Sequence, residues 1–64
     1  MIYLYNLIHA ENGVHDIYDE PADALKDFNE LAGMNVDLET IMPDIRTKGY
    51  YKFNDEYEIE RIIA

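Results

Sequence analysis

The chain has 64 residues, room for one domain (1–64), and its fourteen acidic against five basic residues give a formal charge of −9. It holds no cysteine, serine, glutamine or tryptophan, which excludes disulfides, thiolate metal sites and serine or cysteine nucleophiles, and at 48% apolar residues it is too hydrophobic for an acidic disordered tail. No apolar run approaches the ~18 residues of a membrane span and no basic segment marks a secretory signal, so a cytoplasmic protein with no membrane partner is expected.

Residues 2–9 (Ile-Tyr-Leu-Tyr-Asn-Leu-Ile-His) are rich in β-formers and nearly continuous in apolar character, which predicts a strand covered at least partly on both faces. Asn12-Gly13 is a strong two-residue hairpin signal, and residues 14–18 form the return strand. That turn sets Glu11 opposite Val14, His9 opposite Asp16, Ile8 opposite Ile17 and Leu7 opposite Tyr18. Ile2, Leu4, Ile8 and Ile17 then share one face; Tyr3, Tyr5, Leu7, Val14 and Tyr18 share the other.

Asp19-Glu20-Pro21 reads as a helix start, with a capping acid and a first-turn proline. Over residues 21–32, Ala24, Leu25, Phe28, Leu31 and Ala32 recur at helical spacing, and Gly33 suits the left-handed residue that ends a helix. The stripe is expected to face Ile2, Leu4, Ile8 and Ile17. Asp23, Asp27 and Glu30 line the outer side, with Glu20 just before them.

Residues 34–48 support two readings. Val36, Leu38 and Met42 alternating with polar residues suggest a strand, while Asn35 or Asp37 could cap a short helical turn; Pro43 ends either one. Further on, a three-residue loop Asn54-Asp55-Glu56 sets Phe53 opposite Tyr57, Tyr51 opposite Ile59 and Lys52 opposite Glu58, which predicts a second hairpin. The competing reading makes residues 55–63 a terminal helix capped by Asn54. The sum is an α+β fold: a small antiparallel sheet, β-β-α-β-β or β-β-α-β, with one helix packed on one face.

Chemistry is sparse. His9, Glu11, His15 and Asp16 are metal-ligand types near one hairpin end, but the register puts the two histidines on opposite faces, so no metal site is expected. There is no glycine-rich phosphate loop, and no pair of acids stands out from the others. A chain this short also lacks walls for a deep, water-excluding pocket. No catalytic residue and no cofactor are expected, and the protein is read as a non-enzymatic binding protein.

Charge says more. Residues 1–45 hold ten acids and one base, Lys26, so they carry the whole net charge; residues 46–64 balance. Such a field repels nucleic acid and membranes and attracts basic surfaces. Glu20, Asp23, Asp27 and Glu30 span about 15 Å of helix at 1.5 Å per residue, and Asp19, Asp16 and Glu11 continue the acid toward the hairpin tip. Carboxylates in such an array can replace a run of phosphates against the lysines and arginines that grip DNA or RNA. Tyr3, Tyr5 and Tyr18, on the face opposite the isoleucines, are candidate apolar anchors at a protein interface. Aromatics on a sheet can also stack bases, but that use comes with surrounding lysine and arginine, which this segment lacks.

The length, the acidity, the absence of cysteine and the Met-Ile-Tyr-Leu-Tyr opening together resemble the short acidic single-domain proteins of bacteriophages and other mobile elements. Many of those bind and disable a host protein such as a CRISPR nuclease, a nucleoid protein or RNA polymerase. The resemblance implies a bacterial cytoplasm and a host-protein partner that it leaves unidentified, and it assigns no residue; the charge adds that an inhibitor of this type would occupy a basic surface. The alternative is a small regulatory module that homodimerises or docks through the tyrosine-rich sheet face, its acidity serving solubility alone.

Overall fold

Strands and helices follow in the order β1 (Tyr3–His9), β2 (Val14–Tyr18), α1 (Pro21–Ala32), α2 (Leu38–Lys48), β3 (Tyr50–Lys52) and β4 (Tyr57–Ile63) in the computed structural model, which describes residues 2–10 and 14–63. The strands form one antiparallel sheet in the order β2-β1-β4-β3. This is the α+β architecture expected, with a second helix added.

α1 begins at Pro21, where a missing N–H costs no helical bond. The cap residue is Glu20 rather than Asp19, and its side chain makes no cap hydrogen bond. Gly33 ends the helix at φ 65° and donates its N–H to the Asn29 carbonyl. The Asn29 side chain then clasps the chain leading to α2: its amide donates to the Val36 carbonyl at 3.1 Å and its oxygen accepts the Val36 N–H at 3.0 Å.

Residues 38–48 are helical, with Asp37 at the cap, and Pro43 lies inside the helix rather than ending it. An interior proline costs about 3 kcal/mol through the lost hydrogen bond and the ring clash. Ile41 and Ile45, one turn apart, are both fully buried, and each contributes about 1.5–3 kcal/mol. Packing therefore offsets the proline. Gly49 closes α2 at φ 87°, and Arg46 and Lys48 in the last turn complement the negative end of the helix.

The C-terminal hairpin has the expected register. Tyr51 pairs with Ile59 and Lys52 with Glu58, and Phe53 donates its N–H to the Tyr57 carbonyl. The Asn54 side-chain oxygen accepts the N–H groups of Glu56 and Tyr57 at 2.8 and 2.9 Å, which builds the loop from within and leaves residues 57–63 as strand, not helix.

The N-terminal hairpin differs. Tyr5 pairs with Tyr18, Leu7 with Asp16 and His9 with Val14, a shift of two residues from the register that a two-residue turn would set. The connection spans residues 10–13; the Asn12-Gly13 turn itself lies outside the described residues. Because side chains alternate with period two, an even shift leaves every residue on its expected face.

The covered face, however, is the opposite one. Leu7 and Ile59 are 2% and 0% exposed and join Ala24, Leu25, Phe28, Ile41 and Ile45 in the core. Tyr5, Tyr18, Tyr51, Phe53 and Tyr57 pack around them. Ile2 and Ile17, expected beneath the helix, are 67% and 60% exposed, and Leu31 on α1 is exposed as well. The reason lies in β4, which β1 pairs along its whole length: Ile59 aligns with Leu7, whereas Glu58 and Glu60 align with Ile8 and Asn6. Burying the isoleucine face would bury both glutamates, with Lys52 opposite Glu58 as their one basic neighbour across the strands, at a cost of several kcal/mol.

Phe28 sits where these layers meet. It is fully buried, stacks on Phe53 with ring centroids 3.6 Å apart, and meets Tyr57 edge-on at 5.3 Å. Phe28→Ala is expected to cost about 3–5 kcal/mol, a large part of the stability of a domain this small. Chemical denaturation checks this, and a midpoint near wild type would mean that Phe28 does not hold the layers together.

Candidate functional site

The acidic residues of β2 and α1 come together because α1 lies across β1 and β2. Asp16 and Tyr18 are on the helix-covered side of β2. The Tyr18 hydroxyl donates a hydrogen bond to the Asp27 carboxylate across the gap between strand and helix. Burial, then that bond, then the charges of Asp27, Asp16 and Asp23 hold the hydroxyl well above the usual tyrosine pKa near 10. One carboxylate, Asp27, thus contacts the phenol, and the charges of Asp16 and Asp23 act on it as well. Asp19 and Glu20, both exposed, extend the group around the β2–α1 corner.

Glu30 belongs to a different part of the surface. It lines an open groove of about 390 Å³ with Leu25, Lys26, Asn29, Met34 and Leu38, so the one base of α1 lies beside it. Asp27 is half-buried and engaged by Tyr18, so it is not the freely alterable surface acid that helical spacing suggests. Glu11 lies outside the described residues.

The tyrosines are not an open apolar patch. Tyr5 and Tyr18 pack against the core. Tyr3 stands at the far end of β1 with the Arg61 guanidinium 4.5 Å above its ring, a cation–π contact. Sequence reasoning linked neither Tyr18 to Asp27 nor Tyr3 to Arg61. Both links depend on which sheet face the helices cover and which strand lies beside β1.

Arg61 is on the helix-covered side of β4, in the row of Tyr5 and Tyr18, and the three bases other than it and Lys26 lie elsewhere. Arg46 and Lys48 end α2, and Lys52 is on β3. In the order β2-β1-β4-β3, β3 is the edge opposite β2, about 14 Å away at three strand spacings. Among the described residues no group of three histidine or acidic side chains is arranged to hold a metal ion, and no helix is long and apolar enough to cross a membrane. His9 stacks on Tyr57 with ring centroids 4.3 Å apart, its Nε2 3.9 Å from Glu56.

Comparison with protein-family models, with curated proteins and with solved structures finds no match.

The Tyr18 environment is directly measurable. Ultraviolet difference titration is expected to show one tyrosine equivalent ionising above the ordinary range. That equivalent should vanish in Tyr18→Phe and move back toward the ordinary value in Asp27→Asn. The sign follows from linkage: a raised folded-state pKa stabilises the fold below pH ~10, and the gain is lost as pH rises beyond the unfolded-state value.

Proposed function

We propose that the protein is a non-enzymatic acidic inhibitor of the phage type, which occupies a basic, nucleic-acid-binding surface of a host protein by charge mimicry. The supporting observation is the Tyr18–Asp27 bond that joins β2 to α1, with the exposed Asp16, Asp19, Glu20 and Asp23 on the same two elements and the corner between them and Arg46, Lys48 and Lys52 on α2 and β3. A basic surface approaching this side meets the exposed carboxylates of Asp16, Asp19, Glu20 and Asp23. Several of them are held by a strand and a helix, so little side-chain and loop entropy is lost on binding.

A partner of this chemistry is a CRISPR nuclease, nucleoid protein or polymerase whose lysines and arginines normally grip phosphates. The setting of such a partnership is the cytoplasm of a bacterial host. Direct binding to DNA, RNA or anionic lipid runs against the −9 charge. Gel-shift titration at physiological salt should show no nucleic-acid complex.

The central test is capture from a bacterial lysate on immobilised protein, with elution by salt and by double-stranded DNA. A mimicked surface releases its partner to both, because DNA competes for the same basic residues and salt screens them. Asp16→Asn, Glu20→Gln and Asp23→Asn together spare the Asp27–Tyr18 bond, so the variant should keep its fold, losing at most about 1 kcal/mol with the first-turn charge of Asp23. It should associate more slowly with the captured partner, with the loss greatest at low salt. A partner that resists salt and DNA, and binds the triple variant as tightly as wild type, would overturn the proposal.

A further inference from the structure

The sheet ends in two open edges. In the order β2-β1-β4-β3, no strand pairs with the outer side of β2 or of β3 among the described residues. The backbone groups that each edge presents follow from the pairs already made. Arg61 donates its N–H to the Gly49 carbonyl at 2.7 Å, and Phe53 donates to the Tyr57 carbonyl at 3.0 Å. Bonded and non-bonded pairs alternate along an antiparallel ladder. Gly49, Tyr51 and Phe53 therefore bond inward to β4, and the N–H and C=O groups of Tyr50 and Lys52 point outward. Ala10 donates its N–H to the Glu56 carbonyl at 2.8 Å. By the same alternation Leu4, Asn6 and Ile8 bond β4, while Tyr5, Leu7 and His9 bond Tyr18, Asp16 and Val14. The outward backbone groups of β2 thus belong to His15 and Ile17.

We infer that the chain assembles head to tail, the β2 edge of one copy adding to the β3 edge of the next in a continuous antiparallel sheet. Direction allows it. β2 and β4 run one way, β1 and β3 the other, so a copy displaced sideways along the sheet brings its β3 antiparallel to β2. Register allows it as well. Ile17, Asn6, Glu60 and Tyr50 form one row across the sheet. Continuing that row sets Ile17 opposite Tyr50 of the partner subunit and the His15 backbone opposite Lys52 of the partner subunit. All four positions have outward backbone groups, and each such pair exchanges two bonds. Ile17 and Tyr50 are both exposed and stand on the same face, so they meet as an aliphatic–aromatic cross-strand pair. The helix layer keeps step: four strands at ~4.8 Å repeat every ~19 Å, and two helices at ~10 Å repeat every ~20 Å.

Charge selects this pairing of edges. β2 runs into Asp19 and Glu20, and β3 follows Arg46 and Lys48; all four are exposed. The continued register sets Asp19 beside Lys48 of the partner subunit. Two β2 edges together would crowd Asp16, Asp19 and Glu20 of both copies, with no lysine or arginine on either strand. Two β3 edges together would leave those acids unmet. The net charge of −9 opposes any self-association, but copies ~19 Å apart are separated by more than two Debye lengths at physiological salt, each about 8 Å. Distant charges are screened there more than those at the contact.

The contact is small, because β3 has three residues, so association is weak. It is also open-ended: every added copy brings one free edge of each kind, and a head-to-tail contact without closing rotation has no fixed size. Strand twist winds such a row into a helix. This assembly goes beyond the inhibitor proposal and needs no host protein, so a test on the purified chain separates the two.

Sedimentation velocity at about 0.15 M salt over roughly 0.02–1 mM, a range that brackets a weak Kd, should show the weight-average coefficient rising past that of a dimer. Ile17→Pro and Lys52→Pro each remove an outward N–H at an edge, where proline is tolerated. Each alone should keep its circular dichroism spectrum and stay monomeric. A 1:1 mixture of the two should form a heterodimer and nothing larger, because it holds one intact edge of each kind. If a proline variant unfolds, Asp19→Lys and Lys48→Glu serve instead: each alone should shift association to several-fold higher concentration, and both in one chain should restore it. A wild-type monomer throughout, a plateau at dimer, or a folded proline variant that assembles alone overturns the proposal. So does a mixture of folded proline variants that stays monomeric, or a double charge variant that fails to recover.

Discussion

The aromatic contact between Phe28, Phe53 and Tyr57 is the constraint on which the other features of this small fold depend. A chain of this length buries only about 60% of the surface its unfolded form exposes, so a side chain that removes 150–250 Å² by itself counts heavily. Phe28 comes from the middle of α1, and its partners flank the Asn54 loop that joins β3 to β4. The stack therefore docks the first helix onto the last hairpin. With α1 held there, Asp27 reaches Tyr18 on β2, and the half-buried phenol in turn brings Asp16 and Asp23 to bear on one point. Surface electrostatics thus follow from the packing of three rings.

Much of the fold was legible in the sequence where punctuation and periodicity agreed. Pro21 and Gly33 bracket α1, and the alternation of Tyr51, Phe53, Tyr57 and Ile59 against Lys52 and Glu58 admits only one sensible hairpin register. Three features were not legible. Pro43 stops a helix by local rules, and only the burial of Ile41 and Ile45 against other elements overrides it. Asn12-Gly13 argues for the tightest turn, and nothing local counts against it. β1 is apolar on both faces, so its own pattern could not say which face the helices cover. That answer comes from Glu58 and Glu60, far along the chain, once β4 is known to lie beside β1.

The same limit shaped the site. Acidic character and its bias toward the first two thirds of the chain are plain from composition. Spacing along one helix placed Asp23, Asp27 and Glu30 on a common outer side. It could not show that Asp27 is engaged by a tyrosine from another element, or that Glu30 borders a groove beside Lys26. The amphipathic character of the tyrosines is plain from residue type, but whether such a residue packs inward or waits for a partner depends on tertiary structure.

The pairing of β1 with β4 has a kinetic side. Tyr3 aligns with Ile63 and His9 with Tyr57, so the two central strands of the sheet are also the first and the last along the chain. Leu7 and Ile59, the core residues that these strands contribute, become neighbours only when nearly the whole intervening chain has been looped closed. On the ribosome, the β1–β2 hairpin and α1 emerge first and must remain without their central neighbour until β4 follows. Folding therefore rests on contacts between distant parts of the chain and is slower than that of helix-rich chains of equal length. During that interval the apolar β1 edge is open to any other extended chain in reach.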